Sequence, residues 1–356
     1  VDSNVSVLGS DLTPAVTTPA IPALVSGLQS PSVGGWVEVG RFTASGAVSS
    51  MPVTSLSDKR YYMYLSHYTS NADGQRIEIN SDTGSNYSQR FSTNGASDST
   101  GINQSNIVSG YGGSGLEEFN VGYIANKSDK EKLTQTFASS YGASGAGTAP
   151  NRRECTGKWA NTSAAISSFD FKPATSTFQS GAEVVVLGWD PADTHTTNFW
   201  EELASVDADG TSNTLSASIT SKKYLWVQCY AESSAGSISF RVGNTTLDSG
   251  TNYASRISSN GGAEDVTTGV DAMTGLTSTT PIFWNFFIIN NSANEKLAIN
   301  HVSRQKNAGA ANAPQRIEGV YKWANTSAQI DILGFVAVDS GATVLSNSTM
   351  KIWGSD

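Results

Sequence analysis

The chain has 356 residues, a formal net charge of −9, 38% apolar residues and only 15% charged residues. That length suits two domains of ordinary size, each large enough to fold without disulfide staples. The scattered basic residues argue against a nucleic-acid partner, which needs a basic face, and no apolar run approaches the ~18 residues of a membrane-spanning helix.

Residues 1–34 carry Pro14, Pro19, Pro22 and Pro31 among Val, Thr, Ser and Gly. Proline removes backbone donors and disfavours helix, so this segment reads as an extended N-terminal arm. Val5, Val7, Leu8, Val16, Ile21 and Leu24 are more apolar than a solvated linker requires. Two readings stand for it, a strand-adding arm and a disordered leader. No basic region followed by an apolar core is visible after Val1, so no signal sequence is expected within the chain.

The remainder is a tandem repeat. Lys158-Trp159-Ala160-Asn161-Thr162-Ser163-Ala164 recurs unchanged as Lys322-Trp323-Ala324-Asn325-Thr326-Ser327-Ala328, 164 positions later. The same offset relates Trp36 to Trp200, Glu131-Lys132-Leu133 to Glu295-Lys296-Leu297, and Arg152 to Arg316. With a slightly shifted register, Gly84-Ser85-Asn86-Tyr87 and Arg90 match Gly250-Thr251-Asn252-Tyr253 and Arg256. Ser180-Gly181-Ala182 matches Ser340-Gly341-Ala342. These anchors place one domain at 35–192 and the other at 193–356, each too long for a solenoid unit.

Within each copy the strand signals are short and frequent. Tyr61–Leu65, Glu183–Leu187, Tyr224–Tyr230 and Ala342–Leu345 read as strands. Phe283–Ile289 is apolar except for Asn285, which predicts burial on both faces. Asp73-Gly74, Asn94-Gly95, Asp209-Gly210 and Asn260-Gly261 are turn dipeptides. Ser128–Leu133 is the one place where a single helical turn is expected. The fold class is therefore all-β: two tandem antiparallel β-sandwich or jelly-roll domains behind the N-terminal arm.

Chemistry-bearing residues are sparse. His67, His195 and His301 form no cluster with metal-ligand spacing and none is repeated, so no metal or cofactor is expected. Cys155 and Cys229 fall at non-equivalent places, which predicts two buried free thiols. Glu117-Glu118 is the conspicuous acidic pair, but adjacent strand residues point to opposite faces. Glu154 and Glu318 repeat beside Arg152 and Arg316, as a structural ion pair would. Asp207-Ala208-Asp209-Gly210 resembles the start of a calcium loop but lacks its downstream Glu. The Asp82–Asn86 and Asp248–Asn252 segments offer oxygen ligands, and plain turns explain them equally well. Trp159 and Trp323 read first as core residues beside an Asn-shaped turn, and second as stacking platforms for a sugar ring.

Asp82 to Arg90, Asn94-Gly95, Arg152 to Glu154, Gly157 to Ser163 and Ser180 to Gly188 together resemble a β-sandwich module of tailed-phage and environmental viral structural proteins. Such modules are similar to those in tail fibres, receptor-binding proteins and capsid-surface decorations. The resemblance implies a non-enzymatic component of the virion surface. It implies self-association, with a trimer as the leading expectation, and contact with other virion proteins. The alternative is a carbohydrate-binding or receptor-binding adhesin, with Trp159 and Trp323 as contacts to a host-surface glycan. A glycan-active enzyme is a third reading and would need two carboxylates converging in one cleft.

Overall fold

The computed structural model describes residues 35–356 apart from 72–73, 114, 192, 194–196 and 278; the arm, Asp73 of the expected Asp73-Gly74 turn and His195 lie outside the described residues. The first domain contains β1 (Val37–Thr43), β2 (Met51–Val53), β3 (Tyr61–Thr69), β4 (Gln75–Ile79), β5 (Tyr87–Thr93) and β6 (Ser99–Gln104). It continues with β7 (Ile107–Val108), β8 (Glu117–Ala125), β9 (Lys132–Ser140), β10 (Asn151–Trp159), β11 (Phe169–Pro173) and β12 (Glu183–Trp189). The second contains β13 (Glu201–Asp207), β14 (Thr214–Ser218), β15 (Tyr224–Ala231), β16 (Ser237–Asn244), β17 (Thr246–Leu247) and β18 (Tyr253–Ser259). It ends with β19 (Glu264–Val270), β20 (Thr274–Thr277), β21 (Ile282–Ile289), β22 (Lys296–Arg304), β23 (Gln315–Trp323), β24 (Ile332–Ala337) and β25 (Thr349–Ser355).

Each domain is an antiparallel sandwich. In the first, an eight-stranded sheet ordered β1-β12-β3-β8-β9-β10-β5-β6 faces a four-stranded sheet ordered β2-β11-β4-β7. In the second, β13-β25-β15-β21-β22-β23-β18-β19 faces β14-β24-β16-β17, with β20 added beside β16. Even the irregularities repeat: β1 bulges between Glu38 and Gly40 and β13 between Glu202 and Ala204. The Asn94-Gly95 and Asn260-Gly261 turns take positive φ at both positions, as tight hairpin turns require.

Two expectations need correction. Ser128–Leu133 is a non-helical turn closed by Lys130 N–H to the Lys127 carbonyl, because Lys132 already enters β9. Ala342–Leu345 is not a strand. Only Val344 bridges, to Ser233, as Phe178 bridges Ser70. Ser348 N–H closes on the Leu345 carbonyl as Ala182 N–H closes on that of Gln179. The turn before the last strand is therefore Ser346-Asn347-Ser348, which takes the place of Ser180-Gly181-Ala182 where the sequence match puts Ser340-Gly341-Ala342.

The sandwich interiors are the expected apolar cores. Tyr64, Phe169, Phe171 and Val184 fill the first, and Phe240, Trp284, Phe286 and Phe335 the second. A third core joins the two domains. The outer faces of the eight-stranded sheets meet through Met63, Leu65, Phe119 and Val121 on one side and Tyr224, Phe287, Leu297 and Ile299 on the other. This explains the absence of polar alternation: Tyr62–Tyr68 of β3 is buried at every position, and Phe286–Ile289 of β21 likewise. The order of layers is thus small sheet, large sheet, large sheet, small sheet.

Polar clasps rim this third core. Glu183 accepts hydrogen bonds from Lys223 Nζ and Tyr224 Oη, both at 2.8 Å, and from Thr43 within its own domain. Arg152 reaches Glu264 at 3.0 Å and Glu318 at 3.5 Å. Burial pushes the Glu183 carboxyl up, but Lys223, Tyr224 and Thr43 outweigh it and hold the carboxyl down at about 2. A depressed carboxyl contributes stability above its unfolded value that is lost as pH falls through its folded value, here between about 4.5 and 2. Glu183→Gln is expected to cost about 3 kcal/mol at neutral pH and to flatten the acid loss of stability in that window, read by urea denaturation at stepped pH.

Candidate functional site

The repeated signature resolves into one internal cluster, built twice. Trp159 donates its indole N–H to Asp82 at 2.7 Å, and Trp323 does the same to Asp248 at 2.7 Å. Each aspartate also accepts a glycine N–H, from Gly84 or Gly250, and an amide from Asn86 or Asn252. Tyr87 and Tyr253 pack beneath and bond the backbone of Asp82 and Asp248. Asn161 and Asn325 shape the following turn by accepting N–H bonds from Ser163 and Ala164, and from Ser327 and Ala328.

A buried lysine completes each cluster. Lys132 Nζ lies over the Trp159 ring and donates to the carbonyls of Ser128, Lys130 and Asn161. Lys296 Nζ lies over Trp323 and donates to those of Ser292, Asn294 and Asn325. Three N–H groups meet three acceptors, so the cation is buried without an orphaned donor. Burial pushes Lys296 down to about 8. Trp159 is 1% and Trp323 2% exposed. The second reading of these tryptophans is therefore corrected: their faces are covered by core and lysine, and neither offers a platform to a sugar.

The other sequence candidates separate. Glu117 and Glu118 do point to opposite faces. Glu117 meets His67 Nε2 at 2.5 Å beside the domain interface, while Glu118 turns into the first sandwich. His301 packs edge-on against Phe137 of the other domain. Glu154 pairs with Arg152 at 2.8 Å and Glu318 with Arg316 at 2.9 Å, the structural pairing expected. Asp209 closes its own turn by accepting from Thr211 and Ser212 N–H groups. Cys155 and Cys229 are free and buried. Among the described residues no group of three or more His, Cys, Asp or Glu is placed to hold a metal ion.

Two features were not singled out from sequence. The first is a polar network inside the first sandwich. Glu118 accepts from Tyr68 Oη at 2.6 Å and from the Tyr111 and Gly112 N–H groups. Gln75 bonds Ser66, Ser109 and Asn120. Burial raises the Glu118 carboxyl and pushes the Tyr68 hydroxyl well up. Strand register matches Tyr68, Gln75, Glu118 and Asn120 to Ala231, Ile238, Ile282 and Trp284, so the second copy fills the same space with apolar groups. Beside the network, a groove of about 590 Å³ is lined by Arg76, Gln89, Gln104, Tyr111 and Arg153. Arg153 lies over Phe91 and Tyr111 and bonds the Gly110 carbonyl. The replacement of Glu118 by Ile282 was the visible sequence signal. The second feature is an apolar groove of about 420 Å³ lined by Trp36, Tyr61, Tyr123, Leu133 and Trp189, with Tyr61 stacked on Trp189.

Comparison with protein-family models and with curated proteins finds no match. Among solved structures, Ail, the attachment invasion locus protein of Yersinia pestis, aligns at 6% identity over 79% of this chain and 98% of that chain, with a TM-score of 0.11. Neisserial surface protein A gives the same identity, coverages and TM-score. The tesB protein MAP1729c of Mycobacterium avium subs paratuberculosis gives 6% identity over 67% and 77%, with a TM-score of 0.15. Likeness this slight carries no argument about fold or function.

The lysine clusters make a direct prediction. Lys296→Met keeps the volume but strands the Ser292, Asn294 and Asn325 carbonyls. It is expected to destabilise by about 1–3 kcal/mol in a urea titration.

Proposed function

We propose that the chain is a non-enzymatic structural protein that acts by assembling at the surface of a virion, the setting its sequence resemblance implies. The observation that supports this reading is how the repeated residues are used. Asp82, Trp159, Lys132 and Asn161, with their partners in the second copy, bond one another and hold the scaffold. The duplication is thereby a duplication of architecture. The copies differ on their outward faces and in their interiors, where an assembly protein varies its contacts. Leu133, Ile102, Phe283 and Tyr230 remain exposed, and large apolar groups grouped on an outer sheet face mark association surfaces.

Light scattering on the full chain tests the reading. A mass that is a stable multiple of 37.4 kDa is expected. A monomer at every concentration would contradict it. The question would then pass to the adhesin reading, which the Trp36–Tyr61–Trp189 groove favours and which glycan screening against Trp189→Ala would examine.

A further inference from the structure

The joint between the two domains is built from equivalent surfaces, yet only one of its two equivalent halves is closed. Strand register fixes the equivalences. Tyr62 pairs with Gly188 and Ile124, as Leu225 pairs with Gly354 and Ile288. Tyr61 therefore corresponds to Tyr224, Phe119 to Phe283, and Leu133 to Leu297. At the centre of the joint, Phe137 packs on its own counterpart, His301, with ring centroids 4.5 Å apart.

In the closed half, Phe119 of the first domain meets Tyr224 of the second. The loop 141–150 then lies across the second domain. Lys322 Nζ donates to the carbonyls of Tyr141 and Ala143, and Gly145 N–H donates to Glu295. Gly269 N–H donates to the Ala146 carbonyl, and Arg256 Nε to that of Pro150.

Every counterpart of these groups is present and open. On the first domain Leu133 is 58% exposed where Leu297 is 0%, and Tyr61 37% where Tyr224 is 0%. Lys158 and Glu131, the counterparts of Lys322 and Glu295, pair with each other at the surface. On the second domain Phe283 is 42% exposed where Phe119 is 0%. The loop 305–314 keeps the turn of 141–150: Asn307 N–H bonds Gln305, as Ala143 N–H bonds Tyr141. Gly309 and Gly145 share positive φ. Yet Ala313 and Pro314 are exposed where Ala149 and Pro150 are buried.

Building on the assembly reading above, we infer that the open faces join two copies of this chain head to tail. Loop 305–314 and Phe283 of one copy seat on Leu133, Tyr61 and the Lys158–Glu131 pair of the next, repeating the loop, lysine and aromatic contacts of the closed half, while Phe137 and His301 stay paired within each chain. Each donor has its acceptor: Lys158 meets the Gln305 and Asn307 carbonyls, and Glu131 meets the Gly309 N–H. A contact between two different faces leaves one of each free on every added copy, so it closes into a ring or propagates.

Cross-linking tests this. Lys158→Cys and Asn307→Cys chains are prepared separately, the native cysteines being buried. They are mixed and treated with a short bismaleimide. A covalent species of twice the chain mass is expected in the mixture and in neither variant alone. Leu133→Glu, at an exposed position, is expected to weaken association about tenfold or more while leaving the unfolding midpoint in place. An oligomer that persists without the mixed cross-link, and is indifferent to Leu133→Glu, would overturn this surface while leaving the assembly reading standing. A cross-link found only within single chains carrying both cysteines would overturn it in favour of closure inside the molecule. A full-length monomer that associates once residues 1–34 are removed would assign the face to the arm instead. A monomer in all forms would end both readings.

Discussion

The packing of one wide sheet against another, outer face to outer face, governs the rest of the molecule. A sandwich on its own has two wet outer surfaces, and its strands alternate apolar and polar residues accordingly. Here the central strands of both large sheets are apolar on each side, because one face closes a sandwich and the other closes the joint. Burial of Phe119, Val121, Leu297 and Ile299 supplies a driving force proportional to the apolar area removed from water. The rim adds specificity. Glu183 with Lys223 and Tyr224 at one place, and Arg152 with Glu264 and Glu318 at another, fix how the sheets register. Charge pairs of this kind resist misplacement more than they add stability, since burying either partner alone is costly.

The two copies then divide into what is kept and what is changed. The Asp–Trp–Lys–Asn cluster is kept atom for atom, because each member satisfies another's buried polar group and loss of one strands the rest. The interior is changed. The first copy carries Tyr68, Gln75, Glu118 and Asn120 where the second is apolar. The outer faces are changed too: Gln135 and Thr156 correspond to Ile299 and Val320, while Leu65 and Val121 correspond to Gln228 and Asn285, so the apolar part of the joint face lies on a different half of the sheet in each copy. A duplicated domain whose faces have diverged is suited to contacts between unlike surfaces.

Much of this was legible in the sequence. The identical run at Lys158 and Lys322 gave away the duplication, and Asn-Gly turns with β-branched and aromatic runs gave the all-β class. The mainly apolar stretch at Phe283–Ile289 announced a strand buried on both faces, which holds over Phe286–Ile289 and fails at Phe283, whose outer face is exposed. Other features were hidden for definite reasons. Trp159 finds its partner Asp82 across 77 positions, so nothing local says that its face is covered. Val344 sits in a strand-like run but makes only one isolated bridge, to Ser233 outside the named strands. The joint was invisible because an apolar residue on an outer strand face reads alike whether it meets a second domain or solvent. Only register told Leu297, buried, from Leu133, exposed.

Calorimetry of the full chain is the most direct test that the third core makes the two sandwiches one unit. A single transition is expected, with calorimetric and van't Hoff enthalpies in agreement. Two resolved transitions, one for each sandwich, would contradict it and would reduce the joint to a contact between independent domains.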